Sequence, residues 1–397
     1  MIKNLLIYSV LIAFVTFTIT SCGDDDDNTT GNSVSYSLAE KSDSGVSGDI
    51  EFVELETGQI QAEISLSGTN NGEIHPTHVH MNSAVLGGDI LITLTPVAGA
   101  TGSSVTIFDK DDSGNTISFS QIENLEAYVN VHKSDEELEV IVAQGDIGAN
   151  EFTGESKTYE LEERAIDDIS GNVILRERKN GNALAEINLD GTPDGGMHPA
   201  HIHMNSAAES GDILLSLTPV DGSTGKSETE IRSADDGTAF DYNDVLTANA
   251  YINVHLSATD LGTIVAQGDI GSNELSGEEE TFDLEEKDIE GISGEITFAE
   301  RIDGTVLATI KLDGTPDGGM HPAHIHDNDA ATTGPIAVTF NPVDGNTGES
   351  RTSIRVLDDG TALNFQSLKI FDGYVNVHLS DTDLETIVAQ GNIGINN

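Results

Sequence analysis

His75-Pro76-Thr77-His78-Val79-His80, His198-Pro199-Ala200-His201-Ile202-His203 and His321-Pro322-Ala323-His324-Ile325-His326 are one segment written three times. The spacing is 123 residues from His75 to His198 and again from His198 to His321. His132, His255 and His378 keep the same period. Each closes a Tyr-(Val/Ile)-Asn-Val-His run, 52 residues beyond the last histidine of its own first segment. All 12 histidines of the chain fall in this pattern. A fixed period without gaps marks copies of one structural unit. About 120 residues is an ordinary size for a domain with its own core, so the expectation is beads on a string rather than solenoid turns.

Outward from the histidines, each unit begins near Tyr36, Tyr159 or Phe282. It closes with Ile141-Val-Ala-Gln-Gly-Asp-Ile-Gly148, repeated at 264–271 and, with Asn392 for the aspartate, at 387–394. The division of the chain is a signal peptide at 1–21, an acidic flexible tether at 22–34, and units at 35–156, 157–279 and 280–397. Within a unit the apolar period is mostly two, as in Leu307-Ala-Thr-Ile-Lys-Leu312, with Asp-Gly and Gly-Thr turns between short runs. That pattern predicts an all-β fold, three tandem antiparallel Greek-key β-sandwich domains of seven or eight strands each. A turn or two of helix is expected around Tyr242 to Ala248 and Phe365 to Ile370.

In a strand, residues i and i+2 share a face, so His78 and His80 project together while Val79 enters the core. Tyr128, Asn130 and His132 share a face in the same way. If the two strands are neighbours, three imidazoles converge, and a three-histidine set with an open position suits copper or zinc. With no cysteine or methionine in the pattern, a blue-copper electron-transfer site is excluded. His75, His198 and His321 stand at an odd offset beside a proline. Each is a candidate fourth ligand or a residue that orients the other three. The candidate metal residues are therefore His75, His78, His80 and His132, with His198, His201, His203, His255, His321, His324, His326 and His378. Protonation should compete with the metal through roughly pH 6.5, the ordinary histidine pKa. The competing reading is that the histidines only bond backbone carbonyls at a sheet edge and were copied by duplication.

Lys3 precedes an apolar run from Leu5 to Phe17, too short to span a bilayer, and small residues lead to Cys22, the single cysteine. No disulfide within the chain is possible. Ile19-Thr20-Ser21-Cys22 resembles the lipobox of bacterial lipoproteins, which implies a lipidated Cys22 and an outer-membrane location in the cell envelope. Asp24 to Asp27 resemble the surface-export signals of such proteins, which implies display on the outer face. Against 69 acidic residues stand 17 lysines and arginines, a net charge of −52. That charge repels nucleic acid and anionic lipid surfaces, leaving a lipid anchor as the expected membrane contact; a protein partner is not legible. Asp109-x-Asp111-x-Ser113-Gly114 begins like a calcium loop but lacks its twelfth-position acid and reads as a turn. No hydrolase elbow or zinc-protease helix motif is present.

The His-Pro-Ala-His-Ile-His segment, the Tyr-(Ile/Val)-Asn-Val-His run and the closing Gln-Gly-Asp-Ile-Gly resemble the CHRD domain over nearly the whole of each unit. That resemblance implies an immunoglobulin-like or superoxide-dismutase-like sandwich. The order of motifs, with Asn253-Val-His255-Leu-Ser-Ala-Thr-Asp260-Leu-Gly262 followed by Ala266-Gln-Gly-Asp-Ile-Gly271, is also similar to Cu/Zn superoxide dismutases. This second likeness puts His78, His80, His132 and their copies in copper-ligand positions and gives the earlier histidine a structural role. The departures are specific. No histidine bridges to a second metal, Gln144, Gln267 and Gln390 replace a disulfide cysteine, and Ile141, Ile264 and Ile387 stand where the dismutase guides its anion with arginine. Efficient dismutation is not expected from such a negative chain. Three functions compete: a surface metal-binding module, a non-catalytic adhesion or scaffold protein, and a copper-dependent oxidoreductase.

Overall fold

The computed structural model describes residues 28–397, so the signal peptide, Cys22 and Asp24 to Asp27 lie outside the described residues. The first unit is built from β1 (Thr29–Glu40), β2 (Ser47–Leu55), β3 (Ile60–Ser67), β4 (Ile74–Met81), β5 (Ile90–Ala98), β6 (Ser103–Phe108), β7 (Glu126–His132) and β8 (Ile141–Gly148). The order in the sheet is β1-β2-β3-β6-β5-β4-β7-β8, antiparallel throughout, and β8 returns to β1 to close a barrel. The long step from β3 to β6 is the Greek-key crossing. Closure removes both sheet edges, which an open sandwich would have to protect.

β3 displays the driving pattern: Ile60, Ala62, Ile64 and Leu66 are buried while Gln61, Glu63, Ser65 and Ser67 face outward. The closing motif has its own reason. A Cβ on Gly145 would overlap the carbonyl oxygen of Ser37 on β1, and Gly268 and Gly391 meet Glu160 and Asp283 in the same way. Only glycine lets the last strand approach the first that closely.

The second unit repeats the order from Phe152–Glu163 to Asp260–Gly271, again as a closed barrel. The third runs from Leu275–Glu286 to Asp383–Gly394. Its fourth strand is interrupted between Met320–His321 and Ala323–Asp327, and the strand opposite splits into Ile336–Thr339 and Val343–Asp344. Pro322 and Pro342 fall at the breaks, where a missing N–H interrupts a ladder. The same place in the first unit shows a register shift between His75 and Thr77. The expected helices are Tyr242–Thr247 and Phe365–Leu368, with a counterpart at Phe119–Ile122.

Each unit has a separate hydrophobic core. Two expectations need adjusting. The first strands start at Thr29, Phe152 and Leu275, ahead of the boundaries at 35, 157 and 280. Residues Thr29 and Ser33 of the expected tether already pair with Leu55 and Val53. Nor are the units loose beads, because Arg178 of the second unit is only 1% exposed and ion-pairs with Asp146 of the first.

Candidate metal centre

β4 lies directly beside β7, with His78 opposite Asn130 and His80 opposite Tyr128. Alternation sends Thr77 and Val79 into the core and leaves His78 and His80 on the outer face, where His132 at the end of β7 joins them. Three clusters result: His78, His80 and His132; His201, His203 and His255; His324, His326 and His378. In each, one ring nitrogen per histidine lies within 4.8 Å of the others. Nitrogens about 2.0–2.1 Å from one ion lie roughly 3–4 Å apart, so the rings stand near ligating separation.

The nitrogens that face outward from this arrangement are fixed by the ones that do not. Nδ1–H of His80 donates to Gly88 O at 3.0 Å, and His203 and His326 donate to Gly211 and Gly334 at the same distance. His132 and His255 donate through Nδ1 to Leu138 O and Leu261 O at 2.6 and 2.8 Å. With the proton on Nδ1, each Nε2 keeps its lone pair. In the second unit His201 Nδ1, His203 Nε2 and His255 Nε2 are all buried without a hydrogen-bond partner. His203 and His255 thus present buried acceptors with no donor, which is costly, and with the His201 ring beside them the set fits a single cation. Tyr251 stacks on His203 with ring centres 5.0 Å apart and so locks that ring. In the first unit His78 Nδ1 and His132 Nε2 stand 3.0 Å apart.

His75, His198 and His321 do not join the clusters, which corrects their place among the candidate ligands. The odd offset puts His75 on the buried side with Thr77 and Val79, 2% exposed, and its Nδ1–H donates to His132 O at 3.1 Å. His198 and His321 hold His255 O and His378 O at 3.2 Å. Of the two roles open to this histidine, the geometry is that of a clamp between the start of β4 and the end of β7. The units differ at its outer nitrogen. Glu73 lies 3.5 Å from His75 Nε2, whereas the matching Gly196 and Gly319 leave no room for a side chain over His198 and His321.

Burial pushes His78, His132, His201, His255, His324 and His378 below the ordinary histidine pKa, and neighbouring imidazoles push the same way. His324 falls to about 4. These six rings therefore stay neutral to a lower pH than the 6.5 expected from sequence.

Several contributors were not read from sequence. Asp112, Asp235 and Asp358 oppose the lowering at His78, His201 and His324. Each is held by the strand beside the site, as where Asp112 accepts from Thr93 N and Oγ1. Their 123-residue period was the available signal. Gln144, Gln267 and Gln390, at the cysteine position of the dismutase pattern, donate to Asn130, Asn253 and Asn376 at 2.8 Å. The Asp109 to Ser113 stretch is a turn in which Asp111 accepts from Asn115 N and Nδ2.

The family model for the CHRD domain matches residues 158–267. The second unit contains a CHRD domain. This domain holds His201, His203 and His255 entirely within its matched span. No curated protein and no solved structure matches the chain, so the likeness to superoxide dismutases rests on the order of the sequence motifs.

Proposed function

We propose that the protein is a surface-anchored metal-binding lipoprotein in which three CHRD-like barrels each hold one copper or zinc ion through three imidazoles. The observation that carries this reading is the cluster of His201, His203 and His255, whose ring nitrogens Nδ1, Nε2 and Nε2 are buried without hydrogen-bond partners and in which two are fixed as lone-pair donors to a metal by the carbonyls on the opposite ring nitrogen. His201 would bind through Nδ1 and the other two through Nε2, with Gly211 O and Leu261 O holding the ring orientations. A bound ion supplies Lewis acidity, and copper also supplies one-electron chemistry. The chain's own part is to keep three imidazoles oriented and close.

The test is metal titration of the mature chain by calorimetry with elemental analysis. Three equivalents are expected, falling to two in His203→Ala. Equal uptake by wild type and variant would overturn the site, and no uptake at all would favour the scaffold reading. The anchor is tested separately. Cys22→Ala should move the protein from the membrane to the soluble fraction, and unchanged fractionation would refute a lipid tether.

A further inference from the structure

The 123-residue period extends to residues that face neither the core nor the histidines. Asp146 accepts from Ala84 N at 2.8 Å through Oδ1 and from Arg178 Nη1 at 2.8 Å through Oδ2. Asp269 does the same for Ala207 N at 2.8 Å and Arg301 Nη2 at 3.0 Å. Each carboxylate thus has one oxygen on its own barrel and one on the next. Asn150 runs parallel: its Nδ2 donates to Asn82 O at 2.7 Å while its carbonyl takes Arg178 Nη1. Asn273 donates to Asn205 O at 2.9 Å and accepts from Arg355 of the third unit at 3.3 Å.

What these groups grip on the near side is the segment that orients a ligand. Residues 82–88 leave His80 and end at Gly88, whose carbonyl holds His80 Nδ1. Residues 205–211 do the same for His203 through Gly211. The third unit reaches this second segment again, where Asn341 Nδ2 donates to Ala208 O at 3.0 Å. Arg178 and Arg301 are 1% and 0% exposed; Arg178 also pairs with Glu230 of its own unit, whereas Arg301, bonded otherwise to Ser353 Oγ, has Asp269 as its one ion-pair partner among the described residues.

Among the described residues the linkage is made at two junctions, from the first unit to the second and from the second to the third. The position of Arg178 and Arg301 is Leu55 in the first unit, which has no described barrel before it. The position of Asp146 and Asp269 is Asn392 in the third. Asn392 Oδ1 accepts from Ala330 N at 3.0 Å, so the loop bond is made there by an amide in place of the aspartate.

We propose that Asp146 and Asp269 are positioning residues through which each following barrel sets the metal site of the barrel before it. Sites one and two are coupled to the two junctions described, and Arg301 touches the junction of site two and not site three. The inference rests on the metal reading above. Coupling between two sites is reciprocal: a junction that orients His203 favours the ion, and the bound ion favours the docked junction.

The experiment uses the full mature chain reduced to one site. His80→Ala with His326→Ala leaves site two, and His80→Ala with His203→Ala leaves site three. Adding Arg301→Ala should weaken zinc or copper binding at site two by about tenfold, toward the lower end of the usual coupling range. Site three should change by less than about twofold, well under that range. The contrast is discriminating because Arg301 belongs to the third barrel, so simple damage to its own unit would weaken site three instead. Asp269→Asn combined with Arg301→Ala, which copies the arrangement at Asn392, should keep the Ala207 bond without stranding a buried cation and should weaken site two no more than Arg301→Ala alone. Amide exchange across 205–211 should quicken in both variants, with or without metal. Unchanged affinity at site two overturns the coupling alone, as does a loss confined to site three. A chain that binds no metal in any form overturns the metal reading and the coupling with it.

Discussion

Each barrel carries two kinds of histidine a few residues apart, and their surroundings separate them. His198 is 1% exposed, on the core side of its strand, and its Nδ1 is spent on the backbone of His255. His203, five positions on, is 8% exposed on the outer side, with Nδ1 on Gly211 and Nε2 facing two other imidazoles. The first ties strands together and the second holds a nitrogen ready for an ion. The lesson is that a cluster in sequence is not a cluster in space: strand parity divides four histidines into one and three.

The sharpest way to break this division is His198→Ala. Removing a fully buried side chain that also bonds a carbonyl should cost about 2–4 kcal/mol of stability in the second barrel. His203→Ala should cost less, about 1–2 kcal/mol, because the ring lies outside the core and its loss removes one stacking contact and one carbonyl bond. Chemical denaturation of both variants, metal-free, checks the order. A larger loss for His203→Ala would mean that the outer cluster is the structural element.

A smaller effect is expected from pH. A histidine whose folded pKa lies below its unfolded value leaves the folded state with fewer bound protons than the unfolded one. Stability of the metal-free protein is then complete above about pH 6.5, the unfolded value, and declines as pH falls below it. For His324 the decline continues down to about 4. Melting temperatures across this window should fall in wild type and fall less in His324→Ala. Equal slopes would remove the cluster histidines from the acid response.

The smallest effect sharpens the comparison among clamps. Glu73 is exposed and 3.5 Å from His75, so Glu73→Gly, which reproduces the other two units, should change stability by about 0.5 kcal/mol or less. A loss several times larger in denaturation would make the carboxylate part of the first clamp.

Much was legible before any coordinates. The period of the histidines gave three units, and the alternation in runs such as Leu307 to Leu312 gave antiparallel strands. The His-x-His spacing paired His78 with His80, since side-chain direction in a strand is a local property of the backbone. Adjacency of the two histidine strands was a conditional in sequence, because pairing joins residues more than 50 positions apart and leaves no local trace. The same limit hid Asp112, which reaches its site through Thr93 on another strand.

The sequence by itself determined the copy number of the motif, the strand character of each run, and which histidines share a parity. Tertiary structure alone decided that β4 lies against β7, that the barrel closes through Gly145 against Ser37, and that Nδ1 of each outer histidine at positions 80, 203 and 326 is spent on a loop carbonyl. It also decided that Asp146 and Asp269 face an arginine from the next unit. The physical reason is common to all of these. Periodicity encodes which way a side chain points relative to its own backbone, whereas the atom it meets is set by packing between segments far apart in the chain.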